Sequence, residues 1–167
     1  GKNLLLTPGI YDLEEPIAVN RPDTIVLGMG LATLRAAKGN VCLETGNVQG
    51  LILAGLLFDA GEIKSDNLLV IGNEGQKSED NGKNIYLSDL FFHVGGTDTD
   101  TPVSVKCCAT INSNHVVGAT FWVWRADHGD NVAWEKNKAE NGIIINGDEV
   151  TMYALMVEHF EQYQTVW

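Results

Sequence analysis

Apolar and polar residues alternate with a period of two along most of the chain. Leu56 and Phe58 stand two positions apart in an apolar run, and Leu90 and Phe92 repeat the spacing in the next run. This is the spacing of strands that send alternate side chains into a core. Glycine interrupts nearly every run and disfavours helices there. The pattern predicts an all-β chain built from short strands.

One unit recurs along the chain, consisting of a short β-rich run, an Asn/Gly turn and a longer apolar run. With five positions taken as equivalent, the unit returns every roughly 26 to 34 residues, which is typical of stacked repeats. These positions are Ile25, Leu51, Ile85, Val117 and Val150. Because one unit cannot bury its own inner face, the units must stack on each other. We therefore predict a β-helix (solenoid) of about five to six coils forming a single domain over residues 1–167, either complete or a fragment of a longer β-helix.

An asparagine stands at the turn between the two runs of each unit. The five are Asn20, Asn47, Asn73, Asn112 and Asn146. Asparagine tolerates the left-handed backbone conformation better than most residues, and a sharp turn demands that conformation. We expect a left-handed asparagine at each of these turns.

Four segments carry a resemblance to a known superfamily: TPGIYDLEEPIAVNRPDTIVLGMGLATL, VQGLILAGLLFDAG, WRADHG and NGDEVTMYALMVEHFEQYQTVW. They resemble the pectin-lyase-like right-handed parallel β-helices. The nearest likeness is to secreted microbial β-helix proteins, often attached to discoidin-type carbohydrate-binding modules, and more loosely to β-helical glucanases. The resemblance implies a right-handed parallel β-helix, a carbohydrate-active function and an extracellular location.

The charge balance narrows the choice of partners. Eleven Lys and Arg residues against 22 Asp and Glu residues give a formal net charge of -11. Such a chain repels phosphate backbones and anionic lipid surfaces, so we expect neither nucleic acid nor membrane as a partner. The three cysteines, Cys42, Cys107 and Cys108, include no CxxC pair and are interpreted as small buried hydrophobic residues.

Three polar inserts occupy the same place in successive units: AGEIKSD, GGTDTDTPVS and HGDNVAWEKNKAEN. Stacked coils hold equivalent positions in line, so these inserts are expected to wall a groove along one edge. If Phe58 and Phe92 point inward, then Asp59 and His93 point outward into that groove. By the same alternation, an inward Val157 places Glu158 on the exposed face.

A carboxylate pair at this groove is the basis of the functional prediction. Glycosidic cleavage commonly uses two carboxylates, and Asp127 and Glu158 lie on consecutive coils at the groove edge, with Asp130 and Asp59 in reserve. The alternative is that Asp127 caps a turn and that Glu158 is a solvated charge at a strand end. The leading hypothesis is a glycoside hydrolase acting on a neutral glucan.

Aromatic and polar side chains around the pair are predicted to bind the polysaccharide. The predicted substrate-binding residues are Trp122, Trp124, Trp134, Tyr163, Arg125, His128, His159, His93 and Asp59. In the run FWVWR, inward Phe121 and Val123 are favoured, which leaves both tryptophans outside. The opposite register would bury the two tryptophans in the core.

Two further functions stay open. A non-catalytic β-helix could bind glycan or associate end to end through unpaired strand edges. A polyuronate lyase is the weaker alternative, since it would need Ca²⁺ or basic residues. The run TDTDT, with Asp98 and Asp100, offers oxygen ligands but lacks an EF-hand pattern, so no cofactor is expected beyond a weak Ca²⁺ signal.

Overall fold

The computed structural model describes residues 1–76, 82–96, 101–128 and 132–167. Thirteen strands lie in these ranges: β1 (Leu4–Leu6), β2 (Ile10–Leu13), β3 (Ile17–Val19), β4 (Ile25–Ala36), β5 (Leu43–Thr45), β6 (Ile52–Asp59), β7 (Ser65–Ile71), β8 (Ile85–Val94), β9 (Ser104–Ile111), β10 (Val116–Arg125), β11 (Lys138–Ile145), β12 (Thr151–Glu158) and β13 (Tyr163–Val166). Within the same ranges, no helix is long and apolar enough to span a bilayer.

The strands form two parallel sheets between which the chain alternates. The first sheet has the order β1-β4-β6-β8-β10-β12, with β2 also paired to β4, and the second has the order β13-β11-β9-β7-β5-β3. Each circuit of the chain adds one rung to both sheets. Parallel connections of this kind are overwhelmingly right-handed. The predicted right-handed parallel β-helix of five to six coils is confirmed.

A stack of phenylalanine rings fills the core between the sheets. Phe58, Phe92 and Phe121 are fully buried. The rings of Phe58 and Phe92 are 4.9 Å apart between centroids, and those of Phe92 and Phe121 are 6.2 Å apart. The three cysteines are free and buried, as predicted. The period-two spacing therefore identified the inward face correctly.

The predicted alignment of the units is wrong by one residue in three of them, at Leu51, Ile85 and Val150. In the first sheet Ile25 pairs with Ile52, and Ile52 pairs with Tyr86. Leu51 and Ile85 are fully buried residues just at the start of each strand. They continue the apolar run, so the sequence does not separate them from the outward-facing positions that follow. A one-residue slip reverses the face to which each side chain belongs.

The expectation of left-handed asparagines is also wrong, because none of the five has a positive φ. Three of them, Asn47, Asn112 and Asn146, instead make side-chain hydrogen bonds between coils. The Asn47 Oδ1 accepts the backbone N–H of Asn73 at 2.7 Å, and Asn146 Nδ2 donates to Asn112 Oδ1 at 2.8 Å. The left-handed residues follow three positions after four of these asparagines, at Asp23, Gly50, His115 and Glu149.

A second row of left-handed residues bends the long strands of the first sheet. The row consists of Leu31, Gly55, Asp89, Thr120 and Ala154. Each immediately precedes residues that pair across the sheet, such as Leu56 with Leu90. Only one of the five is glycine, although a left-handed conformation costs other residues roughly 1–2 kcal/mol. The stacked rungs hold the bend in register, and the strand segments after it carry the candidate site.

Candidate active site

Six side chains form one row across the outer face of the first sheet, with one residue from each rung. Their backbone positions pair in the order Asp12, Arg35, Asp59, His93, Trp124 and Glu158. We call this the outer row. Neighbouring strands are about 4.8 Å apart, so the row is a regular file of groups along the β-helix.

The three polar inserts leave the β-helix beside the outer row. They follow β6, β8 and β10 and precede the second-sheet strand of the same coil. Asp127 and His128 come directly after β10, which brings them beside the last two members of the row. The described parts of the inserts therefore leave the β-helix at the same edge in successive coils, and a groove walled by all three inserts stays a prediction. Asp130, together with Asp98 and Asp100, lies outside the described residues.

The two predicted carboxylates meet at one imidazole. His159 Nε2 lies 3.2 Å from Asp127 Oδ2 and 3.5 Å from Glu158 Oε2. The two oxygens can be no farther apart than the sum of these distances. That limit lies at the short end of the roughly 6.5–9.5 Å range of inverting glycosidases and includes the roughly 5–5.5 Å of retaining ones. His159 has a left-handed φ of 68° immediately after β12 ends.

Asp127 is held in its ionised form. Desolvation raises the pKa of its carboxyl, but the hydrogen bond with His128 and the nearby charge of His159 outweigh that effect. The net result is a pKa below the usual aspartate value. The contact between His128 Nδ1 and Asp127 Oδ1 is 2.6 Å long. An ionised carboxylate is suited to act as a base or nucleophile.

The two tryptophans of β10 leave the core, as the favoured register predicts, but they differ in exposure. Trp122 is 38% exposed, and its Nε1 donates a 2.9 Å hydrogen bond to Glu158 Oε1. Trp124 is only 9% exposed. The rings of His93 and His128 lie 4.8 and 5.4 Å from its ring centroid and cover it. Trp122 is thus available to a ligand, whereas the expectation of an exposed Trp124 is wrong.

His93 is the partly buried ring between Asp59 and Trp124 in the outer row. Burial lowers the pKa of its imidazole below the usual histidine value. A neutral imidazole in contact with an indole ring is a packing surface rather than a cation at neutral pH. Its position confirms the predicted outward orientation.

Arg125, predicted to bind substrate, is buried in the structure. It follows Trp124 in the alternation, so its side chain turns inward, and it is only 2% exposed. Its guanidinium donates to the backbone carbonyls of Trp134, Asn137 and His159 at 2.7, 2.8 and 3.0 Å. It also lies 4.7 Å from the ring centroid of Trp134, which is 61% exposed. Arg125 ties the third insert and His159 to the β-helix.

Tyr163 was predicted with this cluster, but it belongs to the second sheet. It pairs with Asn141 in β13, and its side chain is exposed there. The turn after His159 carries the chain from the first sheet to the second within a few residues. Tyr163 is close to Glu158 in sequence, but it lies on the second sheet and not on the outer face of the first.

Asp12 and Arg35 were missed by the sequence reasoning, although they begin the outer row. Arg35 Nε donates to Asp12 Oδ1 at 2.6 Å. No long insert marks these first coils, so they offered no loop signal. Leu34 on β4 pairs with Phe58 on β6. Aligning these two inward residues in the sequence would have placed the next residues, Arg35 and Asp59, side by side on the outer face.

A cavity of about 450 Å³ opens at this end of the outer row, lined by Asp12, Arg35, Lys38, Asp59, Ile63 and Val103 among others. Asp59 lines it while being only 6% exposed. Burial raises the pKa of the Asp59 carboxyl to about 6, an effect that the charge of Arg35 opposes and that of Asp12 reinforces. Within the described residues, no group of three or more His, Cys, Asp or Glu side chains could hold a metal ion.

Asp59 is expected to make the fold less stable as the pH rises from about 4 to 7. Its folded pKa of about 6 lies above the ordinary aspartate pKa of 3.8, so folding favours the protonated form. The protonated carboxyl contributes about 3 kcal/mol to the free energy of unfolding. This stabilisation is fully present at low pH and is lost as the pH rises through the folded pKa. Urea unfolding across this pH range measures the slope. The free energy of unfolding of Asp59→Asn should depend less on pH over this range. An unchanged pH dependence would contradict the raised pKa of Asp59.

Comparisons with known proteins agree with this architecture. A curated relative, an exo-beta-1,3-glucanase from Streptomyces sp. (strain SirexAA-E / ActE), is 40% identical over all 167 residues, and the chain spans 27% of that protein's length. The solved structure of sacteLam55A from Streptomyces sp. SirexAA-E matches 98% of this chain and 29% of that one, with 39% identity and a TM-score of 0.93.

A structure of a variant of sacteLam55A in complex with glucose matches with 38% identity and a TM-score of 0.90, covering 98% of this chain and 30% of that one. The family model of the LAM55 pectate lyase-like domain matches residues 1–167. These matches agree with the sequence resemblance and with the two parallel sheets. The chain belongs to the LAM55 pectate lyase-like domain family.

Proposed function

We propose that this protein is a glycoside hydrolase that cleaves a neutral β-glucan with Asp127 and Glu158. The observation that carries the proposal is the convergence of both carboxylates on His159 Nε2, at 3.2 and 3.5 Å. Two carboxylates at such a separation are the common machinery of glycoside hydrolysis. A relative named exo-beta-1,3-glucanase supports β-1,3-linked glucan as the substrate.

The two carboxylates take different roles in this mechanism. Asp127, whose pKa lies below the usual value, is ionised at neutral pH and acts as the base or nucleophile. Glu158 supplies the proton for the leaving oxygen, and His159 Nε2 lies against both carboxylates. As the glycosidic bond breaks, its electron pair stays on the leaving oxygen, which takes up that proton. The anomeric carbon forms its new bond either to a water oxygen whose proton passes to Asp127 or to the Asp127 carboxylate itself, which water then displaces.

Trp122 gives the site a sugar-binding surface. Its indole is partly exposed and is oriented by the hydrogen bond to Glu158. Aromatic rings combine a large apolar face with a polar edge, which suits the apolar face and the hydroxyl rim of a glucose ring. A sugar stacked on Trp122 would lie within reach of Glu158.

The net charge of -11 favours a neutral glucan over a polyuronate, because an anionic polymer would be repelled. We also propose that the protein acts outside the cell, since polymeric glucan does not cross membranes. The alternative of a non-catalytic β-helix that associates end to end stays a prediction.

A polysaccharide panel tests the proposed function in the protein at its full natural length. We expect glucose-containing products from soluble β-1,3-glucan and much slower release from β-1,4-glucan or polygalacturonate. Reducing-sugar assays and product chromatography provide the measurement. Unsaturated products from polygalacturonate would support the lyase instead. Binding to β-1,3-glucan without any turnover would support the non-catalytic alternative.

A further inference from the structure

The cavity at Asp12, Arg35 and Asp59 is separate from the contacts of Asp127 and Glu158. It lies at the opposite end of the outer row, three rungs from Glu158 when counted from Asp59. We propose that this cavity is a remote binding site for a neutral sugar unit of the same glucan chain. This inference rests on the proposed function for the identity of the polymer.

The strongest support is a buried carboxyl group that faces the cavity. Asp59 is only 6% exposed and lines the cavity, and no donor in the described parts of the chain makes a hydrogen bond to its carboxylate. A buried carboxyl left without a donor is costly. Sugar hydroxyls are donors, so a bound sugar would supply the missing hydrogen bonds.

Arg35 supplies the complementary chemistry. Its Nε is occupied by Asp12 at 2.6 Å, while the guanidinium carries further N–H groups and its side chain is one-third exposed. Sugar hydroxyls both donate and accept, so a cavity with a carboxyl acceptor beside guanidinium donors fits them. Ile63 and Val103 add apolar wall.

Charged ligands fit this cavity less well. A divalent cation would face the guanidinium of Arg35 and the ammonium of Lys38. A phosphate or uronate would face Asp12, Asp59 and Glu62. A neutral polyhydroxy ligand avoids both repulsions, and the volume of about 450 Å³ lies within the usual range of small-molecule sites.

The spacing of the rungs relates the cavity to the carboxylate pair. Three strand steps place Asp59 roughly 14 Å from Glu158 along the β-helix. A short oligosaccharide can span that distance, whereas a disaccharide held at Glu158 cannot. The proposed consequence is that long oligosaccharides bind more tightly than short ones.

Calorimetric binding of β-1,3-linked glucose oligosaccharides tests the proposal. In the protein at full natural length with Glu158→Gln to slow turnover, we expect the pentasaccharide to bind more tightly than the disaccharide. Asp59→Leu should weaken pentasaccharide binding about tenfold and so reduce the ratio between the two affinities. Arg35→Met should act in the same direction. Glu44→Leu, an exposed carboxylate on the second sheet, is the matched control and should leave the ratio unchanged.

The proposal is overturned if neither Asp59→Leu nor Arg35→Met changes the affinity ratio, or if the pentasaccharide binds no better than the disaccharide at the start. Thermal unfolding of each variant separates lost binding from lost fold, and Arg35→Met provides an independent test if Asp59→Leu folds poorly. Wild-type turnover in Glu158→Gln would contradict the proposed catalytic role of Glu158. A ratio of pentasaccharide to disaccharide affinity that depends on Asp59 would still establish the remote sugar site.

Discussion

Glu158→Gln is expected to lower kcat on β-1,3-glucan by about 10²–10⁴-fold, and Asp127→Asn by a similar factor, which is the usual contribution of a positioned acid or base. Both amides keep the shape of the side chain while removing its capacity to take up or release the proton. The contacts with His159 and Trp122 are polar and can persist in part. Initial rates of glucose release on soluble β-1,3-glucan, with the protein at full natural length, measure the effect.

Aryl glucosides separate the two roles. A nitrophenolate leaving group needs no proton, so a variant that lacks only the acid keeps most of its activity on that substrate. Asp127→Asn, which lacks the proposed base, should stay slow on every substrate. Glu44→Gln is the control, because Glu44 is exposed on the second sheet. Wild-type kcat on β-1,3-glucan in either site variant would rule out the carboxylate pair as the catalytic groups.

Arg125→Met is expected to destabilise the fold by about 3–5 kcal/mol, because several backbone carbonyls lose their donor and each unsatisfied buried acceptor costs about 1–3 kcal/mol. The apolar side chain fills part of the space but leaves the carbonyls of Trp134, Asn137 and His159 without their donor. The change in urea midpoint at constant m value measures the loss.

The same variant should also reduce activity, because the backbone of His159 is anchored by Arg125 and its ring bridges the two carboxylates. Arg21→Met is the matched control, since Arg21 is exposed. We expect it to change stability by less than about 1 kcal/mol. If Arg125→Met unfolded at the wild-type urea concentration, the anchoring role of Arg125 would be wrong.

The alternation of side chains predicted the fold and half of the candidate site. Period-two spacing is a property of the backbone, so Phe58 and Phe92 identify the inward face without any tertiary information. It also placed Asp59, His93 and Glu158 on the outer face. The position of the inserts, read from the repeat, placed Asp127 beside them.

Other features depended on contacts between rungs that are distant in sequence. The alternation predicts the face of the sheet on which a side chain lies but not how much of it is exposed. It therefore could not show that His93 and His128 cover Trp124. The sequence predicts Arg125 as a substrate-binding residue, yet its guanidinium is buried and donates to backbone carbonyls of the third insert. The asparagine turns were explained by backbone propensity, whereas three of the five asparagines make hydrogen bonds between coils.

Because each coil adds one residue to the outer row, the number of coils sets the distance between the groups at its two ends in steps of one strand spacing. Removing one whole coil between Asp59 and Glu158 would shorten their separation by about one strand spacing and would leave the core faces matched. Inserting one residue within a strand would instead exchange inside for outside over the rest of that strand. Under the proposed function, gaining or losing entire coils would change the length of glucan that spans the two sites in steps of one strand spacing, and no intermediate length would be available.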